Sequence, residues 1–142
     1  MNTPTVTTFF YGSYINLAVL REVDLVPERT AVARLPGYDI SIRPLANLTP
    51  SDEHCVYGIV ASTTHDELDR LYRHAQEVLG GLYLPHPVTA YLPSGQSEAA
   101  LCYIALSMLP APPEPDYVQR IIEPAREHGF PSWYLKRLES FL

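Results

Sequence analysis

The sequence predicts an α+β fold in which a curled antiparallel or mixed sheet carries flanking helices. Three observations lead there. The middle of the chain is a succession of short apolar or alternating segments of strand length, with one helical pattern among them. Helical patterns return only towards the C-terminal end. Fourteen prolines against seven glycines imply many fixed turns and short edge strands. With 142 residues, no internal repeat and no linker, the expectation is one domain over residues 1–142 with a real core.

Taken in order, Thr7 to Tyr11 is β-branched and aromatic, which suits a buried strand. Gly12-Ser13 interrupts it, and Ser13 is a candidate N-cap for an apolar segment from about Ile15 to Leu20. Strand, glycine turn and helix start together aim several backbone N–H groups at one spot, which favours a carboxylate or phosphate. An ordinary strand-to-helix turn is the competing reading. Thr30 to Leu35 and Tyr38 to Arg43 read as two strands of a hairpin around Pro36-Gly37. Pro44 to Glu53 reads as a loop, and Val56 to Ala61 as a central strand buried on both faces.

Thr64-His65-Asp66-Glu67 is a capping box, and the helix it opens presents Leu68, Leu71, Tyr72, Ala75, Val78 and Leu79 on one face until Gly80-Gly81. Tyr83 to Tyr91 is extended but holds Pro85 and Pro87, so an edge strand is expected. Pro93-Ser94-Gly95 turns the chain into a last strand, Ala99 to Leu106. After a proline-rich crossing, Asp116 caps a helix to about His128, with Pro124 kinking or dividing it. Pro131 to Phe141 forms the final amphipathic helix.

Composition narrows the function. A net charge of −6 without a basic stripe argues against broad nucleic-acid binding. No apolar run is long enough for a bilayer and no leader pattern opens the chain, so the cytoplasm is expected, without a membrane partner. Cys55 and Cys102 read as small buried thiols. The five histidines show no metal spacing, and Ser13 has no partner histidine that would make it a nucleophile. Ten tyrosines exceed what a core needs, so some are expected to line a pocket with hydroxyls inward.

Several stretches together resemble the γ-glutamylcyclotransferase-like superfamily. They are Phe10-Tyr11-Gly12-Ser13, the strand Ala33 to Ile40, Pro50-Ser51-Asp52-Glu53 running into Val56-Tyr57-Gly58-Ile59-Val60, the Leu68-Asp69 pair, and the tail from Pro112 to Tyr117 and Ala125 to Pro131. Their order covers nearly the whole chain. The resemblance implies a β-barrel-like fold with helices packed around it, and release of 5-oxoproline from a γ-glutamyl compound without a cofactor. It further implies that the Tyr11–Tyr14 turn cradles the substrate, and that Tyr83 and Tyr103 stand where relatives have pocket tyrosines.

The resemblance places the general acid/base, a glutamate, three residues after Asp69. Here that residue is Tyr72. An ordinary phenol, with a pKa of about 10, is a poor base at neutral pH. Glu77, in the longer segment before Gly81-Leu82-Tyr83, is the candidate substitute carboxylate; the plainer reading makes it the i,i+4 partner of Arg73 on a solvated face. Two functions are therefore carried forward. One is an enzyme forming 5-oxoproline from a γ-glutamyl amine or peptide. The other is an altered relative that binds a small anionic metabolite or performs different chemistry.

Overall fold

The computed structural model describes residues 3–142. Five strands, β1 (Thr5–Phe10), β2 (Thr30–Ile42), β3 (Ala46–Thr64), β4 (Leu84–Tyr91) and β5 (Ser97–Ile104), close a barrel in the order β1-β3-β2-β4-β5. All neighbours are antiparallel except β5 and β1, which meet in parallel at Thr8↔Leu101 and Phe9↔Cys102. The expected α+β class with a curled mixed sheet is what the chain adopts. Around the barrel lie α1 (Leu17–Arg21), α2 (His65–His74), α3 (Pro115–Glu127) and α4 (Ser132–Glu139). Phe9, Phe10, Leu35, Ile40, Val56 and Ile59 are buried at its centre.

β3 is the spine, because its two ends serve different partners. Residues from Phe10↔Ile59 to Thr5↔Thr64 pair with β1, while β2 follows the same strand from Thr30↔Ala61 down to Ile42↔Ala46. This overturns two local expectations. Pro36-Gly37 does not reverse the chain; it is a bulge inside one long β2, where the register shifts between Pro36 and Tyr38. Proline removes a ladder donor and Gly37, at φ +90°, relaxes the irregularity without a turn. The reversal comes after β2, where the Arg43 N–H donates to the Leu45 carbonyl. Residues 46–53, expected as a loop, are the first half of β3, since the partner strand supplies a ladder that local composition does not reveal.

Helix starts differ in a similar way. Gly12–Ile15 is a 3-10 turn, so α1 begins later and is capped by Asn16, whose side chain accepts from the Ala18 N–H at 3.0 Å; Ser13 is not the cap. The Thr64 capping box forms as expected, with Glu67 N–H to Thr64 Oγ1 at 3.1 Å and Thr64 N–H to Glu67 Oε1 at 2.9 Å. α3 starts after Glu114, whose side chain makes no cap hydrogen bond; Pro115 and Asp116, the expected cap, lie inside its first turn, and the helix runs undivided through Pro124. An Arg137–Asp39 pair at 2.8 Å ties α4 to β2. Among the described residues no helix is long and apolar enough to cross a membrane.

Candidate functional site

The end of β1, the 3-10 turn after it, the last residues of α2 and the crossing into α3 converge on one cavity. Tyr11 closes the strand and Gly12 opens the turn with φ +63°. A Cβ on Gly12 would run into the Cβ of Ala46, so the glycine is demanded twice, by backbone conformation and by close packing. Its first requirement is therefore another part of the chain rather than a ligand. At the far end of the turn His128 Nε2 stands 2.8 Å from the Ile15 carbonyl. A carbonyl only accepts, so this nitrogen carries the proton and anchors the turn to the end of α3. The Gly12 and Ser13 amides find no acceptor among the described residues.

Six tyrosines form most of the wall: Tyr11, Tyr14, Tyr72, Tyr83, Tyr103 and Tyr117. Ser13, Leu45, Ala46 and Leu79 complete it. Tyr72 lies flat on Tyr103, with ring centres 3.8 Å apart and 7° between planes. Tyr14 meets Tyr72 edge-on at 5.7 Å, and Tyr83 flanks it at 5.9 Å. What is left is a cavity of about 20 Å³, room for about one water. No carboxylate and no cation stands in that wall.

The hydroxyls are donors and acceptors in a partly formed network. Tyr11 donates to the Tyr103 carbonyl at 2.7 Å, and Tyr83 to the Ala46 carbonyl at 2.6 Å. Tyr117 accepts from the Ala46 N–H at 2.9 Å. Burial pushes Tyr11 and Tyr72 well above the ordinary phenol value, with neighbouring tyrosines and Cys102 adding to it. Tyr14, Tyr83 and Tyr117 are raised chiefly by burial as well; at Tyr117 the Ala46 amide and the Ser13 side chain work against it. Tyr103 is raised by burial and by the charge of Asp69. These phenols stay neutral at physiological pH, able to donate hydrogen bonds and unable to serve as bases. The Cys102 thiol, pushed up to about 12 by burial, is inert for the same reason; Cys55 is half-buried rather than buried.

Of the residues singled out in the sequence, Tyr11, Ser13, Tyr14, Tyr72, Tyr83 and Tyr103 come together around this cavity; Gly12, the first residue of the turn, is buried and is not part of the wall. Glu77 does not join them. The last turn of the α2 region widens to π-helical geometry over Ala75–Leu79, and Glu77 is exposed there. The same widening turns Val78 outward, 64% exposed, against the expected apolar face. Asp69 is exposed and is absent from the cavity wall. Tyr117 and Ala46 were missed: nothing local marks either, because both reach the site through long-range packing, although Tyr117 lies in a tail segment that carried the family resemblance. Among the described residues no cluster of histidine, cysteine and carboxylate side chains is placed to hold a metal.

No family model matches the chain. A γ-glutamylcyclotransferase from Bos taurus is 32% identical over 92 residues, which are 65% of this chain and 47% of the bovine protein. The chain thus spans about half the length of that curated relative. Among solved structures, one titled gamma-glutamyl cyclotransferase superposes with a TM-score of 0.80 at 23% identity, covering 96% of this chain and 88% of that one. An uncharacterized protein from Homo sapiens gives 0.77 at 24% identity, covering 96% and 87%. A yeast cyclotransferase described as specific to glutathione gives 0.65 at 12% identity, covering 99% and 96%. Sequence likeness and barrel topology agree with the Tyr-Gly-Ser resemblance: the chain is γ-glutamylcyclotransferase-like, in fold over nearly its whole described length and in sequence over 92 residues.

Proposed function

We propose that this protein is a catalytically altered γ-glutamylcyclotransferase-like chain that binds a small anionic molecule at the Tyr11–Tyr14 turn and does not release 5-oxoproline. The observation that carries this reading is the stacking of Tyr72 on Tyr103 at 3.8 Å, at the position where the resemblance puts the acid/base. Forming 5-oxoproline needs one group that takes a proton from the attacking α-amine and gives one to the leaving amine. A neutral phenol already holds its proton and cannot take the one from the attacking amine at physiological pH, so the first transfer has no acceptor. The two unpartnered amides of Gly12 and Ser13 support the binding half, since successive N–H groups in a turn favour an anion. Entry requires Tyr72 to rotate off Tyr103, because the space beside the turn is otherwise about one water in size.

The second reading, an active cyclotransferase, rests on the 32% identity to the bovine enzyme. Both readings meet in one experiment. Release of 5-oxoproline is measured with γ-glutamyl amino acids, γ-glutamyl amines and glutathione, and binding of the same compounds and of 5-oxoproline is followed by calorimetry. The expected result is binding without turnover in the wild type, and turnover gained in Tyr72→Glu, which removes the ring and supplies the carboxyl. Turnover by the wild type sinks the altered-protein reading. Absence of heat with every compound sinks the binding half.

A further inference from the structure

β4 is paired with β5 along its whole length, from Leu84↔Ile104 to Tyr91↔Ser97, but it meets β2 at a single rung, Arg34↔Tyr91. The cause is in the sequence. Proline sits in a strand where its missing N–H faces away from the ladder, so the absent donors of Pro85 and Pro87 fall on the edge turned to β2. The seam cannot zip, and the space beside it is a groove of about 660 Å³, within the range of small-molecule sites.

Two groups in this groove lack partners. His86 lies between the two prolines in register with Cys102, and its half-buried side chain lines the groove. Its Nε2 is buried and makes no hydrogen bond among the described residues. A buried nitrogen left unpaired is costly and calls for a hydrogen-bond partner. On the opposite wall Arg43, in the turn between β2 and β3, makes no ion pair among the described residues. No aspartate or glutamate lines the groove, although the chain holds sixteen of them against ten lysines and arginines. The rest of the lining is largely apolar, with Leu48, Ile104, Leu106 and Met108 in it, and Leu106 is 72% exposed.

We propose that this groove is a second binding site, for a small amphipathic carboxylate. The carboxylate pairs with the Arg43 guanidinium and meets the His86 imidazole once the ring turns its covered nitrogen toward the groove, and an apolar body covers Leu48, Ile104 and the Leu106–Met108 segment. An added peptide strand is the poorer occupant, because Pro85 and Pro87 withhold the donors such pairing uses. The site is separate from the Tyr11–Tyr14 turn and stands or falls independently of it.

Phenylacetate is the probe, with phenylethanol as its uncharged counterpart, and amide chemical shifts report the location. Phenylacetate should shift Ser41, Asn47 and Ala105 saturably in the millimolar range and bind more tightly than the alcohol. Arg43→Gln should weaken it about tenfold, the loss of one charged hydrogen bond. His86→Leu should also weaken it while leaving thermal stability equal or higher; a histidine with a merely structural role would instead lower stability and leave the affinity alone. Tyr72→Ala, which alters the other cavity, should leave these shifts unchanged. Shifts confined to Gly12 and Ser13, equal affinity for acid and alcohol, an Arg43→Gln protein that binds as the wild type does, or no saturable shift at all would each overturn the proposal.

Discussion

The tyrosine cavity and the groove at the β2–β4 seam share Leu45 as a common wall, yet they are opposites. The first is about 20 Å³, closed by stacked rings, with no charged side chain in its wall. The second is about 660 Å³, held open by a ladder that cannot form, with Arg43 and His86 in its wall and the His86 Nε2 buried without a partner among the described residues. Space beside a barrel is thus governed by two different devices. Side-chain identity at one position, Tyr72, fills a pocket that the fold provides. Backbone chemistry at two positions, Pro85 and Pro87, creates an opening where the fold has a seam.

The largest effect expected from this contrast is alkaline. Tyr11, Tyr72 and Tyr83 are raised by burial above their unfolded value of about 10, so their contribution to stability is complete below that pH. It falls as pH rises through the interval up to the folded values, because the unfolded chain ionises and the folded one does not. Phenolate absorbance of these residues should therefore appear together with loss of the far-ultraviolet signal. Ionisation of the whole tyrosine set before unfolding would mean the cavity is open to water.

Gly12→Val attacks the turn beside the cavity. A β-branched residue at φ +63° and a clash with Ala46 should together cost about 2–5 kcal/mol in urea unfolding. A cost below about 1 kcal/mol would show that the turn relaxes freely. Thr64→Ala weakens the cap of the helix that delivers Tyr72, and should cost about 1 kcal/mol with chemical-shift changes reaching Tyr103. Unchanged shifts at Tyr103 would separate the stack from the helix.

The smallest effect is on the seam side. Arg29, just ahead of β2, holds Glu98 of β5 through a two-pronged pair that includes Nη1 to Oε2 at 3.0 Å. That hydrogen bond keeps the Glu98 carboxyl below the usual carboxylate value. Its contribution is present above the unfolded carboxylate pKa and is lost as pH falls through the lower folded value. Because the pair is solvent-exposed it is worth at most about 1 kcal/mol. Glu98→Gln should remove that part of the acid dependence of the melting temperature. An identical acid profile in the variant would assign the dependence to other carboxylates.

Much of the molecule was legible without its fold because the deciding contacts are local. The Thr64–Glu67 capping box closes within one helical turn, and it forms where the residues say. The Pro93-Ser94-Gly95 turn likewise sets its own hydrogen bonds, Gly95 N–H to Leu92 and Leu92 N–H to Gln96. The strands with clear apolar patterns and the run of tyrosines also lie in the sequence for anyone to read, as does Tyr72 three residues after Asp69.

Other features were decided only by partners far away in the chain. Residues 46–53 look like a loop and are a strand because β2 offers them a ladder. Pro36-Gly37 looks like a turn and is a bulge because the same ladder holds the chain straight on both sides. Glu77 looked like a stand-in carboxylate until a π-helical turn left it exposed. The cavity closed because a ring on α2 met a ring on β5, and Gly12 became indispensable because Ala46 packs against it. Local preference selects each segment's conformation within a few residues, whereas what a segment packs against depends on surfaces that become neighbours only when the barrel closes.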